Sequence, residues 1–454
     1  MPALTAQTVR PALEFIPPNY SGLVRRGTQL ALPWWMSSQL RVAHLEIDGA
    51  DRLARLYGDF QRDRNRLLLA FRHPCTDDPF AIAHLLWRAV PAAARRQNIP
   101  LAEPVHSHFI YDRGIPLWAG GLAGWLFSRL GGIPIQRGKV DRQALKTARH
   151  ILSHGRFPLA IAPEGGTNQH NERLSPLEPG VAQLAFWCAD DLVADNRPER
   201  MLVVPIGLQY AYTTPPWAAI DSLLGDLETD LGLPNRPTPD TLGTDDRRYY
   251  RLFRLGETLL GQMEDFYRQF YGQTIPAPPA TDDPNRRMGD RLHALLDIAL
   301  QVAETYFQIK PSGSKVDRCR RLEQAGWDRI FRADEPNLSP VERGLADWVA
   351  AEASSRMGHM RLVENFTAVT GQYVREKPTA ERFAETLLIL WRVTAWICGR
   401  DRTRTPNLGP RRLTIRIGEP IDVRDHHDAY KQNRRTAMND LTADLQTALE
   451  SLIL

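Results

Sequence analysis

The sequence predicts an α/β fold, a mixed sheet flanked by helices, with a large helical insertion. Three observations predict it. Between residues 66 and 211 short apolar runs alternate with amphipathic stretches, in the order "LLLAF", "FAIAHLLWRAV", "FPLAIAP", "GVAQLAFWCAD" and "MLVVPIGLQY". Apolar runs of this length, separated by helical patterns, are the mark of buried strands joined by crossover helices. From 212 to 410 the texture is helical, and strand periodicity returns only in "RRLTIRIGEPIDV", where Leu413, Ile415 and Ile417 alternate with other residues. A single strand cannot bury itself, so this last segment is expected to rejoin the first sheet.

The chain of 454 residues is too long for one typical domain. It divides into an N-terminal interfacial segment (1–43), an α/β core (44–211), a helical insertion (212–410), a closing strand of the core (411–427) and a C-terminal helix (428–454). The insertion opens on a proline-rich, acidic linker. Beyond it, in "RLHALLDIALQVAETYF", Leu292, Leu295, Leu296, Ala299, Ala303, Tyr306 and Phe307 fall on one helical face.

Composition narrows the partners. Lys and Arg total 57 against 53 Asp and Glu, a net charge of +4 that does not point to nucleic acid. Cys75, Cys188, Cys319 and Cys398 are far apart and form no CxxC pair, which argues against a zinc site or disulfide framework and fits a reducing cytoplasm. The N-terminal stretch has no basic region leading into an apolar core, so no secretory signal is expected. The apolar stretches 114–135 and 383–399 are interrupted by Arg129, and by Glu385 and Arg392, and neither reads as a span.

"VRRGTQLALPWWMSSQL" is different. Arg25 and Arg26 precede Leu30, Leu32, Trp34, Trp35 and Met36, a combination suited to lying at a lipid interface. The alternative is that these tryptophans pack on the domain's own core.

The chemistry-bearing stretch is "RLLLAFRHPCTDDPF", residues 66–80. "LLLAF" reads as a buried strand and "PFAIAHLLWRAV" as a helix beginning at Pro79. His73 to Asp78 therefore lie in the loop at the carboxyl end of a strand, where open α/β sheets place their ligand sites. His73 is a candidate general base, since an imidazole ordinarily titrates near pH 6.5. Asp78 either bonds its other ring nitrogen, fixing the tautomer, or serves as a plain helix cap.

Four further stretches carry a resemblance. "HPCTDD" matches the H-x4-D block of the glycerolipid acyltransferases, the group that includes 1-acylglycerol-3-phosphate acyltransferase. "GGIPIQRG", with Arg137, resembles their second block, "IAPEGGTN" their third, "VVPIGL" their fourth, and "IRIGEPI" the strand with which these domains finish. The resemblance covers about residues 44–211 and 411–427. It implies that His73 deprotonates an acceptor hydroxyl, which attacks an acyl thioester directly while Asp78 orients the base. Cys75 stands where the family often has serine and is not expected to act as a nucleophile.

The same resemblance places Arg137 on the acceptor's phosphate, where a guanidinium fork suits the geometry. It places Glu164 beside Arg137 or an acceptor hydroxyl, with Gly165, Gly166 and Thr167 allowing close backbone approach to substrate. Neither a cofactor nor a metal is implied. The expected partners are acyl-CoA or acyl carrier protein as donor, a lysophospholipid acceptor and a membrane surface, with the protein peripheral on the cytoplasmic face.

Two departures stand out. The third block usually reads E-G-T-R, whereas here Glu164 is followed by Gly165, Gly166, Thr167 and Asn168, and Arg72 precedes the first block where asparagine or serine is common. Lysophosphatidic acid leads as acceptor, with another lysolipid or lipid alcohol as the alternative. A metal-dependent hydrolase would draw on His73, Asp77, Asp78, His106 and His108, whose spacing matches no familiar zinc pattern. A non-catalytic lipid-binding scaffold is a further class, against which the intact His73 and Asp78 argue.

The helical stripes of the insertion read as core packing, the alternative being an acyl-chain channel or lid. Lys315, Arg318, Arg320 and Arg321 read as a solvated face, or as a landing site for an acidic carrier protein or anionic lipid.

Overall fold

The computed structural model describes residues 8–136, 140–233, 243–366, 372–400 and 405–453. The chain folds as two compact units, one built from Glu14–Gln136, Val140–Thr213 and Pro410–Leu454, the other on Thr214–Gly409 with the residues up to Leu13. The first strand, β1 (Arg10–Pro11), belongs to the second of these.

The α/β unit runs α1 (Gly22–Ser38), β2 (Val42–Asp48), α2 (Ala50–Phe60), β3 (Asn65–Phe71), α3 (Asp78–His84) and, through a π-helical turn, α4 (Val90–Arg96). It continues with β4 (His108–Asp112), α5 (Ile115–Ala119), α6 (Gly121–Arg129), β5 (Gly132–Ile135), α7 (Arg142–His154), β6 (Leu159–Ile161), α8 (Gly180–Ala194) and β7 (Arg200–Tyr212).

β3 shows why the sheet forms where it does. All seven of its residues are buried, because alternate side chains enter two different cores. Leu67, Leu69 and Phe71 pack with Leu53, Tyr57 and Leu85, while Leu68 and Ala70 pack with Ala144, Ala148 and Phe186 on the opposite face. A strand covered by helices on both faces must be apolar at every position, which is the pattern the sequence carries. β3 lies parallel between β6 and β7.

The segment after the insertion completes this sheet. β9 (Arg411–Ile417) runs parallel to β2 and antiparallel to β7, and β10 (Ile421–Asp422) pairs with the start of β7. The result is an eight-stranded mixed sheet in the order β2-β9-β7-β3-β6-β4-β5, with β10 beside β7. Leu413, Ile415 and Ile417 are buried in its core, as the alternation predicts. The chain closes with two helices, α16 (Arg424–Gln432) and α17 (Arg434–Glu450), where the sequence suggests one. They are separated at Asn433, whose side chain accepts from Thr436 N and caps α17.

The helical unit contains α9 (Trp217–Asp230), α10 (Thr244–Tyr271), α11 (Pro284–Phe307), α12 (Lys315–Ile330), β8 (Phe331–Arg332), α13 (Pro340–Phe366), α14 (Tyr373–Glu376) and α15 (Ala380–Ile397). α13 packs against both α11 and α12, and β1 pairs with β8. The α11 stripe is buried at Leu292, Leu295, Leu296, Ala299, Ala303 and Phe307 and serves as the core of this unit. Two members of the basic cluster are tied down by acids: Lys315 pairs with Asp297 at 2.6 Å, and Arg318 with Asp297 and Glu304 at 2.8 Å each.

Candidate active site

The parallel strands end on one edge of the sheet, and His73, Asp78 and Glu164 meet there. The chain leaves β3 at Phe71 and turns through Arg72–Asp77 into α3. Across this loop His73 Nδ1 lies 2.9 Å from Asp78 Oδ2. Asp78 is the first residue of α3 and does not act as a cap, since the N-cap position falls on Asp77, whose side chain makes no capping bond. The Asp78 carboxylate turns back into the loop instead, with Oδ2 accepting from Cys75 N at 2.9 Å and Oδ1 from the Tyr210 hydroxyl at 2.8 Å.

With Asp78 ionised, the proton between the two groups resides on His73 Nδ1, and the basic lone pair is on Nε2. The His73 side chain is 20% exposed while that of Asp78 is 0% exposed, so the imidazole faces outward from an acid that is wholly enclosed. Burial pushes the Asp78 carboxyl up, against the bonds from His73, Cys75 N and Tyr210 that pull it down. This is the arrangement of a supported general base.

An ion pair stands beside it. Arg411, the first residue of β9, donates to Asp77 Oδ2 at 2.7 Å and to Leu40 O at 2.8 Å, and its guanidinium lies 4.9 Å from the Tyr210 ring centroid. The Cys75 thiol is pushed up to about 12 by burial and by Asp77 and Asp78, against Arg411. A thiol so held is protonated at neutral pH and is a poor nucleophile.

Glu164 follows β6 and bridges two loops. Its Oε1 accepts the backbone N–H of His73 at 2.8 Å, and its Oε2 accepts from Ser175 N at 2.9 Å and from Asn168 Nδ2 at 2.8 Å. Burial pushes the Glu164 carboxyl up, and the His73 and Ser175 amides pull it down. The carboxylate thus holds the backbone of His73, a contact that no local pattern in the sequence signals. Gly165 adopts φ +68° and donates to Ala162 O at 3.2 Å, a left-handed turn that favours glycine. Gly166 and Thr167 follow on the same loop, half-buried.

Arg72 clamps the far end of that loop. Buried to 1% exposure, it donates to the carbonyls of Asn171 at 2.7 Å, His170 at 3.1 Å and Arg173 at 2.6 Å. Asn171 Oδ1 in turn accepts Tyr210 N at 2.8 Å. The two departures are linked: Asn168 and Arg72 both fasten the loop that carries Glu164.

Arg137 lies outside the described residues. Close to it in sequence, Gln136 N donates to Asp141 Oδ2 at 3.0 Å, and the same carboxylate pairs with Arg113, the residue following β4. His106 and His108 are structural. His106 Nδ1 accepts from Trp87 Nε1 at 3.0 Å and its Nε2 donates to Leu130 O at 2.9 Å, while His108 Nδ1 lies 2.9 Å from Gly131 O.

α1 packs against α3 and α6. Leu32 and Met36 enter the core, whereas Leu30 and Trp34 are 78% and 62% exposed. Trp35 sits 5.9 Å from Phe80 of α3, ring centroid to centroid. Leu122 and Trp125 of α6 are also exposed. Arg25 is buried and bonds Gln29, so of the two arginines only Arg26 faces solvent. Among the described residues, no helix is long and apolar enough to cross a membrane.

Tyr210, Arg411, Arg72 and Asn171 were not among the residues expected at the site. Tyr210 ends an apolar strand and reads as core, and nothing local marks Arg411 as the partner of a loop residue. Residues 45–209 match the protein-family model named Acyltransferase. No curated protein and no solved structure matches the chain.

Proposed function

We propose that the glycerolipid acyltransferase family domain at residues 45–209 moves a fatty acyl group from a thioester, acyl-CoA or acyl carrier protein, to the hydroxyl of a lysophospholipid. The acceptor that suits it best is 1-acylglycerol-3-phosphate, giving phosphatidic acid. The observation that carries this reading is the His73–Asp78 pair, 2.9 Å apart at the carboxyl edge of the sheet.

In the proposed reaction His73 Nε2 takes the proton of the acceptor hydroxyl as its oxygen attacks the thioester carbonyl. The tetrahedral intermediate collapses with cleavage of the C–S bond, and the imidazolium returns the proton to the departing thiolate. Asp78 stabilises the imidazolium throughout. The raised Cys75 thiol supports direct transfer without an acyl-enzyme. Lipid substrates are consistent with the exposed Leu30, Trp34, Leu122 and Trp125 of α1 and α6, residues suited to the headgroup region of a bilayer.

A different lysolipid acceptor is favoured by one observation. Asn168 stands near where the family pattern has arginine, and its amide is taken up by Glu164 and Arg173 O. The test is acyl transfer by the purified protein, with both donor types offered against lysophosphatidic acid and a panel of lysolipids, read by mass spectrometry. Phosphatidic acid as main product supports the leading acceptor. Another product supports the second, and no product with any pair overturns the lysophospholipid reading.

A further inference from the structure

We infer that Tyr210 is a positioning residue of the His73–Asp78 pair, acting by donating its hydroxyl proton to the carboxylate edge opposite the histidine. This rests on the reading of His73 as general base. The two oxygens of Asp78 are served from two directions. Oδ2 receives His73 Nδ1 and Cys75 N from its own loop, and Oδ1 receives Tyr210 from β7, 132 residues away.

Tyr210 is itself held at two points, one of them anchored in turn. Its backbone N–H is bonded by Asn171, its ring lies under Arg411, and Arg411 is anchored on Asp77 and Leu40 O. These contacts set the phenol so that its hydroxyl lies 2.8 Å from Asp78 Oδ1. Burial, reinforced by Asp78, Cys75 and Asp77, pushes the Tyr210 hydroxyl well above its ordinary range, so it remains a proton donor across the working pH range.

The consequence is electrostatic. A hydrogen bond donated to a buried carboxylate favours its charged form, so Tyr210 lowers the proton affinity of the acid that supports the base. The charged and titratable groups around Asp78 are His73 and Cys75 of the loop, Asp77 paired with Arg411 of β9, Tyr210 of β7, and Glu164 behind His73 with Arg72 beyond it. Among these, Tyr210 is the one whose side-chain proton meets Asp78 Oδ1.

The test is Tyr210→Phe, which keeps the ring and its place beneath Arg411 and removes only the donor. A hydrogen bond to a charged group is worth about one to two decades in an equilibrium constant. The expected outcome is a fall in kcat of about tenfold with KM within about twofold, and an acid limb of the kcat–pH profile displaced upward by about one unit. A purely structural hydroxyl would leave the limb in place.

A second measurement needs no substrate. The carboxyl 13C resonances of aspartate-labelled protein are titrated in wild type and Tyr210→Phe, with Asp78→Asn assigning the signal. Transition of the Asp78 signal at higher pH in Tyr210→Phe supports the inference. An unmoved transition in a folded variant overturns it. Wild-type protein with no acyl transfer but a displaced carboxyl titration would overturn the functional reading and leave the Tyr210–Asp78 coupling standing.

Discussion

The backbone N–H of His73 donates to Glu164 Oε1 at 2.8 Å, so the acid of the third block sets the position of the histidine in the first. Glu164→Gln replaces one oxygen by an amide donor among three existing donors, His73 N, Ser175 N and Asn168 Nδ2. One buried donor then lacks an acceptor, at a cost of about 1–3 kcal/mol. Denaturant unfolding should show that loss, and acyl transfer should fall with it. Wild-type stability and rate in the variant would remove Glu164 from the support of His73.

His73→Ala is expected to lower acyl transfer by about 100-fold or more while preserving the fold, because it removes the proton acceptor and little packing. Circular dichroism and the acyl-transfer assay decide it. Activity within a few-fold of wild type would take His73 out of the mechanism.

Asp78 predicts a pH-dependent exchange of stability for function. Burial raises its carboxyl above the unfolded value. A carboxyl raised in this way stabilises the fold fully below its unfolded pKa and loses that contribution as pH rises through the folded one. Near neutrality its charge therefore burdens the native state. Asp78→Asn should show a Tm at pH 7.5 no lower than wild type, a relative advantage that shrinks on acidification, and a large loss of acyl transfer. A Tm several degrees below wild type at pH 7.5 would mean that the three hydrogen bonds outweigh the desolvation.

Cys75 lies in the loop of the base but its thiol is pushed up to about 12. Cys75→Ser should transfer acyl groups within a few-fold of wild type, and iodoacetamide at pH 8 should label exposed Cys398 well before Cys75. Rapid labelling of Cys75 with loss of activity would contradict the direct-transfer reading.

The exposed side chains of α1 give a membrane prediction. Replacing Leu30 and Trp34, 78% and 62% exposed, by serine should weaken binding to anionic vesicles at least several-fold without lowering Tm, since neither is in the core. Vesicle co-sedimentation measures it, with salt expected to release the wild type. Undiminished binding by the double variant would move the lipid contact elsewhere on the protein.

Much of the fold was legible because its signals are local. The all-apolar "LLLAF" reports a strand covered on both faces, and the alternation of Leu413, Ile415 and Ile417 reports a strand of the same sheet. His73 and Asp78 were legible for the same reason, being five residues apart across one turn. The break at Asn433 was missed because residues 431–436 are polar throughout and hold no glycine or proline to mark a stop, whereas the tryptophans of α1 posed a question about solvent that only packing answers.

Sequence alone determined the α/β class, the place of His73 at the end of a buried strand and Asp78 within its reach, since each follows from the period or length of a short segment. Tertiary structure decided what holds that pair. Glu164 reaches His73 across 91 residues, Tyr210 reaches Asp78 across 132, and Arg411 reaches Asp77 across 334. The sheet brings these groups to one edge by placing β9 and β3 on either side of β7 and β6 beside β3. No local periodicity encodes such a meeting, because it depends on strand order and register rather than on neighbours along the chain.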